Sequence, residues 1–428
     1  MTSILTQPPK LNAPTVCQLD NGLTIIAEQM PVEAVNLNVW VNVGSAKESN
    51  EINGMAHFLE HMVFKGTPNL EIGEFEHLIE ERGAVTNAAT SQDYTHYYIT
   101  TAPKDFAALA PLQLDVVLNP SLVDEAFERE KLVVLEEIRR SEDNPRRRTF
   151  YRSMETCFET LPYRRPVLGP ASVIANLRSQ QMRNFHGAWY QPSSMTAAVV
   201  GNLPVEELIE IVAQSFEQHY SSRAEYEKNS LPDLAPEAPF TQIVRREYTD
   251  ESLQQARLIM TWRVPGMENL GETYALDILA VILGQGKVSR LFRELREEKG
   301  LVSRIGVSNM TQTHQGVFYI SAALPAENIA VVEQAIADQL RTIQTEPIAS
   351  KDIERIRTQV ANRFIFANER PSDRANLYGY YYSQLQDLAP ALNYPQNIQS
   401  ISAKDLQTAA QKYLNPNAYG VVVMKPVS

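Results

Sequence analysis

Gly54-Met-Ala-His57-Phe-Leu-Glu60-His61-Met-Val-Phe64 is the stretch on which the reading of this chain turns. Phe58, Leu59, Met62, Val63 and Phe64 supply apolar contacts, and nothing from Met55 to Lys65 breaks the backbone, so a short helix is predicted. On it His57 and His61 stand four apart, one turn above each other on one face, with Glu60 beside them. Two imidazoles at that spacing hold one zinc ion, and an adjacent carboxylate takes a proton from water bound to it. The order His-x-x-Glu-His mirrors the commoner zinc motif His-Glu-x-x-His. The plain alternative is a helix that carries two histidines without chemistry, and the rest of the chain has to decide between them.

Two histidines leave a zinc ion short of ligands. Downstream, Asp124 is predicted to cap a long helix, Glu125-Ala-Phe-Glu-Arg-Glu130-Lys-Leu-Val-Val-Leu-Glu-Glu137-Ile. Glu130 and Glu137 stack two turns apart inside the sector of Ala126, Phe127, Val133, Val134 and Ile138. Carboxylates on an apolar face are costly to bury unless something compensates them. A divalent cation would do so. A partly solvated face would also do, since Leu132 and Leu135 make the opposite side apolar. Beside the histidines the metal reading is the better one, with Glu137 as third ligand. Three protein ligands and one open position is the catalytic zinc arrangement, whereas a structural site needs four and no neighbouring base. Metal-assisted amide hydrolysis follows, with Glu60 taking a proton from water and passing it to a leaving amine.

Around the motif the chain alternates strands and helices. Leu19-Asp-Asn-Gly-Leu-Thr-Ile-Ile-Ala reads as an Asn-Gly turn feeding a strand. Val35-Asn-Leu-Asn-Val-Trp-Val-Asn-Val alternates at period two, a strand with one buried face. Ile72 to Arg82 is a helix stopped at Gly83. Ala84 to Ile99 gives two strands joined around Ser91-Gln-Asp93. The small side chains of Asn87-Ala-Ala-Thr90 suit an edge strand that receives an extended peptide, and equally an ordinary hairpin. Met195 to Pro204 resembles a buried strand and turn, and Val205 to Tyr220 an amphipathic helix.

At 428 residues, the chain has room for two or three domains. No apolar run approaches the ~20 residues that span a bilayer, and no targeting segment is recognisable at Met1 to Val16, so a cytoplasmic protein without a membrane partner is expected. The net charge of −12 argues against nucleic acid and otherwise serves solubility. Cys17 and Cys157 lie too far apart in sequence for a metal knuckle, and both are expected to be reduced. Zinc, if bound, is held by nitrogen and oxygen.

Residues 221–243, rich in proline and charge, have linker composition. Beyond them the order of elements repeats. Ala256 to Val264 parallels the strand at Val35, and Tyr274 to Gly284 the histidine helix. Leu291 to Gly300 parallels the helix before Gly83, Ser303 to Ala323 holds two strands, and Ala326 to Gln344 a helix matching that at Pro103 to Asn119. The second copy has Leu and Ile where the first has histidines. The chain is therefore read as a duplication: a catalytic unit with the zinc site at 1–220, a linker at 221–243, and a homologous unit without zinc at 244–428.

His57-Phe-Leu-Glu60-His61, Glu130 to Glu137 downstream, and Gly-Ala-Val-Thr-Asn-Ala-Ala-Thr between them resemble the pitrilysin and mitochondrial processing peptidase family, over nearly the whole chain. The resemblance implies an α+β fold of two homologous domains, each a mostly antiparallel sheet backed by helices. It implies that His57, His61 and Glu137 bind Zn2+, that Glu60 is the general base, and that Glu130 is a supporting carboxylate. By the same likeness Asn87, Ala88, Ala89 and Thr90 form the edge strand that pairs with the substrate peptide.

Two such chains are expected to face one another around a chamber. Self-sufficient members carry an Arg and a Tyr in the second domain that grip the substrate. Arg296 fits the Arg position, but Ser303, followed by Arg304, stands where the Tyr is expected, unless a nearby tyrosine replaces it. That resembles catalytic subunits paired with a sister subunit, so a heterodimer is favoured, with a homodimer as the alternative. Family relatives also serve as non-catalytic structural subunits or could bind peptides without cutting them. Intact ligands and an intact Glu60 favour the zinc endopeptidase.

Overall fold

The structure is a computed structural model and describes residues 13–220 and 234–427. Most of the expected linker, residues 221–233, lies outside the described residues.

Two sheets organise the chain. The first comprises β1 (Thr15–Gln18), β2 (Thr24–Gln29), β3 (Val35–Val41), β4 (Val85–Thr90), β5 (Thr95–Thr101) and β6 (Met195–Gly201), in the spatial order β1-β2-β6-β3-β5-β4. The second comprises β7 (Val244–Asp250), β8 (Ala256–Pro265), β9 (Arg304–Met310), β10 (Gln315–Leu324) and β11 (Gly420–Pro426), in the order β7-β11-β8-β10-β9. Once β1 is set aside, each sheet places its strands identically: the last lies beside the first in parallel, and every other pairing is antiparallel. The sequence repeat is thus a repeat of topology, and the fold is α+β as expected.

Helices α1 (Met55–Met62), α2 (Glu74–Glu81), α3 (Pro103–Leu118), α4 (Asp124–Glu142), α5 (Pro145–Cys157), α6 (Ala171–Asn176), α7 (Ser179–Trp189) and α8 (Val205–His219) accompany the first sheet. In the second half α9 (Leu270–Gly284), α10 (Ile329–Thr345), α11 (Ser350–Phe366) and α12 (Pro371–Leu385) precede three further helices. Phe58, Leu59 and Met62 of α1 join Leu37 and Val39 of β3 and Phe127 of α4 in the first core. That burial fixes the histidine helix by its apolar side and leaves its polar side for chemistry.

Some expectations need correction. The helix expected from Ile72 begins at Glu74, though Gly83 does adopt the left-handed φ of a helix stop, +63°. Val123 occupies the cap position of α4, and Asp124 is already helical, its carboxylate accepting from Ser179 and Arg183. The stretch parallel to α2 is π-helical over Phe292–Glu298.

The largest departure is β3, which is buried on both faces rather than one. Its polar side is covered by α12, a helix from the far half of the chain. A Cβ on Gly379 would fall within the Trp40 ring, so only glycine allows that approach. Arg374 and Tyr378 of α12 both bond Glu28 of β2, at 2.9 and 2.7 Å, inside the same contact. Asn38, which alternation assigned to solvent, instead meets His96 Nδ1 at 3.0 Å.

Residues 234–243 form no regular element, yet they are fastened. The Glu237 carboxylate accepts from the backbone of Glu159, Thr160 and Leu161 and pairs with Arg263 at 2.9 Å. Cys157 is buried and Cys17 half-buried, and both are free thiols.

Candidate metal centre

Helix α1 starts abruptly at Gly54, whose φ of +99° is left-handed and whose missing Cβ makes room for the carbonyl of Leu168. The buried carboxylate of Glu48 accepts from the backbone of Gly54 at 2.8 Å and Ala56 at 2.7 Å, and from Asn53 Nδ2 at 2.9 Å. An acid at this end satisfies orphan N–H groups and complements the helix dipole. Burial pushes the Glu48 carboxyl upward while these donors pull it down. No local sequence pattern marks Glu48, because it caps from a separate turn rather than from the position before the helix.

Glu137 of α4 reaches both histidines: its Oε2 lies 3.5 Å from His57 Nε2 and 3.5 Å from His61 Nε2. These three residues form a group whose ligand atoms lie within 4.8 Å of one another. Bonds of about 2.0–2.1 Å to a tetrahedral zinc would set neighbouring ligand atoms roughly 3.3 Å apart. The two 3.5 Å spacings from Glu137 are longer than a good hydrogen bond and close to that edge. The donor set therefore fits zinc.

Electrostatics agrees. Burial, then the positive charge of His61, lowers His57 to about 4 against the pull of Glu137, so its imidazole is neutral. At His61 burial is outweighed by Glu130 and Glu137, which raise it to about 9. The two carboxylates thus favour positive charge at His61, as they would favour a cation there. Glu137 is held below the carboxylate range chiefly by its contact with the His61 ring.

Glu130, two turns before Glu137, approaches His61 from behind: Oε1 is 2.9 Å from Nδ1, and Oε2 is 2.9 Å from Lys65 Nζ. A carboxylate on the far nitrogen directs Nε2 at a metal and fixes the tautomer. Lys65, which sequence reading passed over, lies four residues after His61, where helical spacing would have put it within reach. His57 has no such support among the described residues, where its buried Nδ1 finds no hydrogen-bond partner.

Glu60 is lifted by burial, opposed by a hydrogen bond from Thr90 Oγ1 to its Oε2. Thr90 ends β4, the outer strand of the first sheet, which pairs only with β5 among the described residues. Asn87 and Ala89 are exposed on it, Ala88 and Thr90 half-buried. The N–H of Ala88 is met by its neighbour's side-chain oxygen, Asn87 Oδ1, at 2.9 Å. The small residues thus lie on an open edge, and that edge ends at Glu60.

Arg296 is not brought to this cluster. It is exposed on the π-helical turn, its guanidinium 4.7 Å from the Phe292 ring centroid. Ser303 is bonded to Gln255 at 2.6 Å, and the tyrosine that shares a cavity with its neighbour Arg304 is Tyr319.

Residues 23–171 match the family described as insulinase (peptidase family M16), and residues 176–360 match the peptidase M16 inactive domain. The chain belongs to peptidase family M16. Among curated relatives of this M16 chain, an uncharacterized zinc protease of Rickettsia felis is 27% identical over 398 residues, covering 93% of this chain and 94% of the relative. Zinc protease PqqE of Helicobacter pylori is 27% identical over 415 residues, covering 95% and 92%. A solved protease structure from Helicobacter pylori superposes with a TM-score of 0.90 at 26% identity, covering 96% of this chain and 99% of that one. A putative M16-like peptidase from Alicyclobacillus acidocaldarius shares the fold, with a TM-score of 0.87 at 20% identity over 98% and 100% of the chains. The inactive-domain match falls largely on the half whose α9 carries apolar residues in place of histidines. No helix among the described residues is long and apolar enough to cross a membrane.

Proposed function

We propose that this M16 chain is a zinc-dependent endopeptidase acting on peptides or unfolded protein segments, with the catalytic machinery in residues 1–220 and a homologous, zinc-free unit in 244–428. The observation that carries the reading is the convergence of His57, His61 and Glu137 beside a base, Glu60, at the end of an open strand edge. His57 and His61 would hold the ion through Nε2 and Glu137 through Oε2. Zinc in such a site supplies Lewis acidity, which lowers the pKa of water toward neutrality and polarises a carbonyl. Glu130 and Lys65 keep the His61 ring in place.

The substrate backbone pairs with Asn87 to Thr90 as an added strand, which presents its peptide bonds to Glu60 in extended form. Thr90 occupies Oε2 of Glu60, so Oε1 is the oxygen that takes the proton from attacking water and delivers it to the departing amine. The names of zinc protease relatives support the same reading.

Since Arg296 stacks on its own turn and Ser303 has no phenol, a homologous sister subunit that supplies the missing grip fits better than a homodimer. A retired structural or peptide-binding subunit is the second reading, and the intact Glu60 speaks against it.

The test is zinc content together with cleavage of a quenched fluorescent peptide, with and without a sister chain. Glu60→Gln should keep its zinc and lose at least about a hundredfold in kcat. Undiminished turnover in that variant would falsify the assignment of the base.

A further inference from the structure

Two features of the sequence have no part in the cluster: the basic run at the start of α5, and Arg304 after Ser303. Both lead to one cavity. Arg257 of β8 and Arg304 of β9 each pair with Ala323 of the intervening β10. The three residues form one cross-strand row and project from the same face of the sheet. Alanine is too short to separate the two guanidinium groups. Arg146 of α5 lines the same 230 Å³ cavity, with Phe150, Tyr319 and Ser321.

No acid lines this space among the described residues, and no carboxylate there pairs with Arg146, Arg257 or Arg304. Asp250, whose charge reaches Arg257, is already bound by Arg148. The Nε of Arg257 is buried without an acceptor among the described residues. Burial, then the charges of Arg146 and Arg304, lowers the pKa of its guanidinium. A buried donor left unmet is costly and neighbouring like charges add to that cost, which an anion reaching Arg257 past the exposed Arg146 and Arg304 would relieve.

The cavity has room for a side chain or a chain end, and planar guanidinium groups match a carboxylate. Its position favours a peptide as the source. Arg147, next to Arg146, is near enough for its charge to act on Glu137. We propose that Arg146, Arg257 and Arg304 form a subsite for a carboxylate of the peptide substrate, supplied by its C-terminus or by an aspartate or glutamate side chain. This rests on the peptidase reading, and its test is therefore one of binding, which needs no turnover.

Short N-terminally labelled peptides are titrated by fluorescence anisotropy into zinc-loaded E60Q protein. One pair differs only in a free or amidated C-terminus, the other only in an internal Glu or Gln. At low salt the carboxylate member of at least one pair should bind about tenfold more tightly, an advantage that shrinks as salt rises. The pair that shows it identifies the source. R257Q and R304Q, introduced separately and checked for unchanged Tm, should each reduce the advantage to less than about twofold. R304Q changes an exposed side chain and so tests the subsite even if R257Q folds poorly. Equal or absent binding of charged and neutral peptides overturns the subsite, and so does an advantage that survives R304Q. Failure of the peptidase reading would show separately, as wild-type protein that binds these peptides and cuts none.

Discussion

His61 and Glu130 are joined through Nδ1 and Oε1 at 2.9 Å, so the imidazole that faces Glu137 on one side is gripped by a second carboxylate on the other. Breaking this pair should loosen the metal without removing a ligand. Glu130→Gln is expected to weaken zinc binding by about 10- to 100-fold, read by competition with a chromophoric chelator. A Gln variant that holds zinc as tightly as wild type would show Glu130 to be packing alone.

The hydrogen bond from Thr90 to Glu60 stabilises the ionised carboxylate, against the burial that raises it. A general base works only when ionised, so activity falls as pH drops through its pKa. Thr90→Val removes the donor and should move the acidic limb of the kcat/KM profile to higher pH, with a smaller change on the alkaline side. An unmoved acidic limb would mean that another group sets it.

In the metal-free protein His61 keeps its proton up to about 9, whereas His57 is neutral above about 4. Zinc must displace the His61 proton. Uptake near pH 7 should therefore release about one proton per ion, and affinity should fall roughly tenfold for each unit of pH decrease in that region. Calorimetric titration in buffers of different ionisation enthalpy counts the proton; a count near zero would contradict the charge state assigned to His61.

Asp277 of α9 is held by Asn309 Nδ2 at 2.8 Å, and burial raises it to about 6. The folded state thus binds its proton more tightly than the unfolded chain does. The stability it lends is fully present below about pH 4 and is lost as pH rises through about 6. Asp277→Asn should remove this part of the pH dependence and leave the protein more stable than wild type near pH 8, by on the order of 3 kcal/mol. Denaturant titration of both proteins across that range reads the difference.

The motif on α1 was legible because it is local: residues four apart share a helix face whatever the fold around them. The same kind of periodicity on α4 marked Glu130 and Glu137 together, as carboxylates that interrupt an apolar sector. Repetition of the element order foretold the matching strand order of the two sheets. What escaped were contacts made outside the period of any single element. Glu48 caps α1 from another turn, and α12 covers β3 from more than three hundred residues away along the chain, turning a strand with one wet face into a fully buried one.

By itself the sequence determined which side chains could serve as ligands and base, and the period of each element, since both depend on residue type and short-range geometry. Only the tertiary structure decided that Glu137 lies 3.5 Å from both imidazoles and that Thr90 bonds Glu60. Those distances follow from how two apolar cores pack and how α12 clasps the first sheet, a cooperative balance of burial and shape that no local pattern encodes.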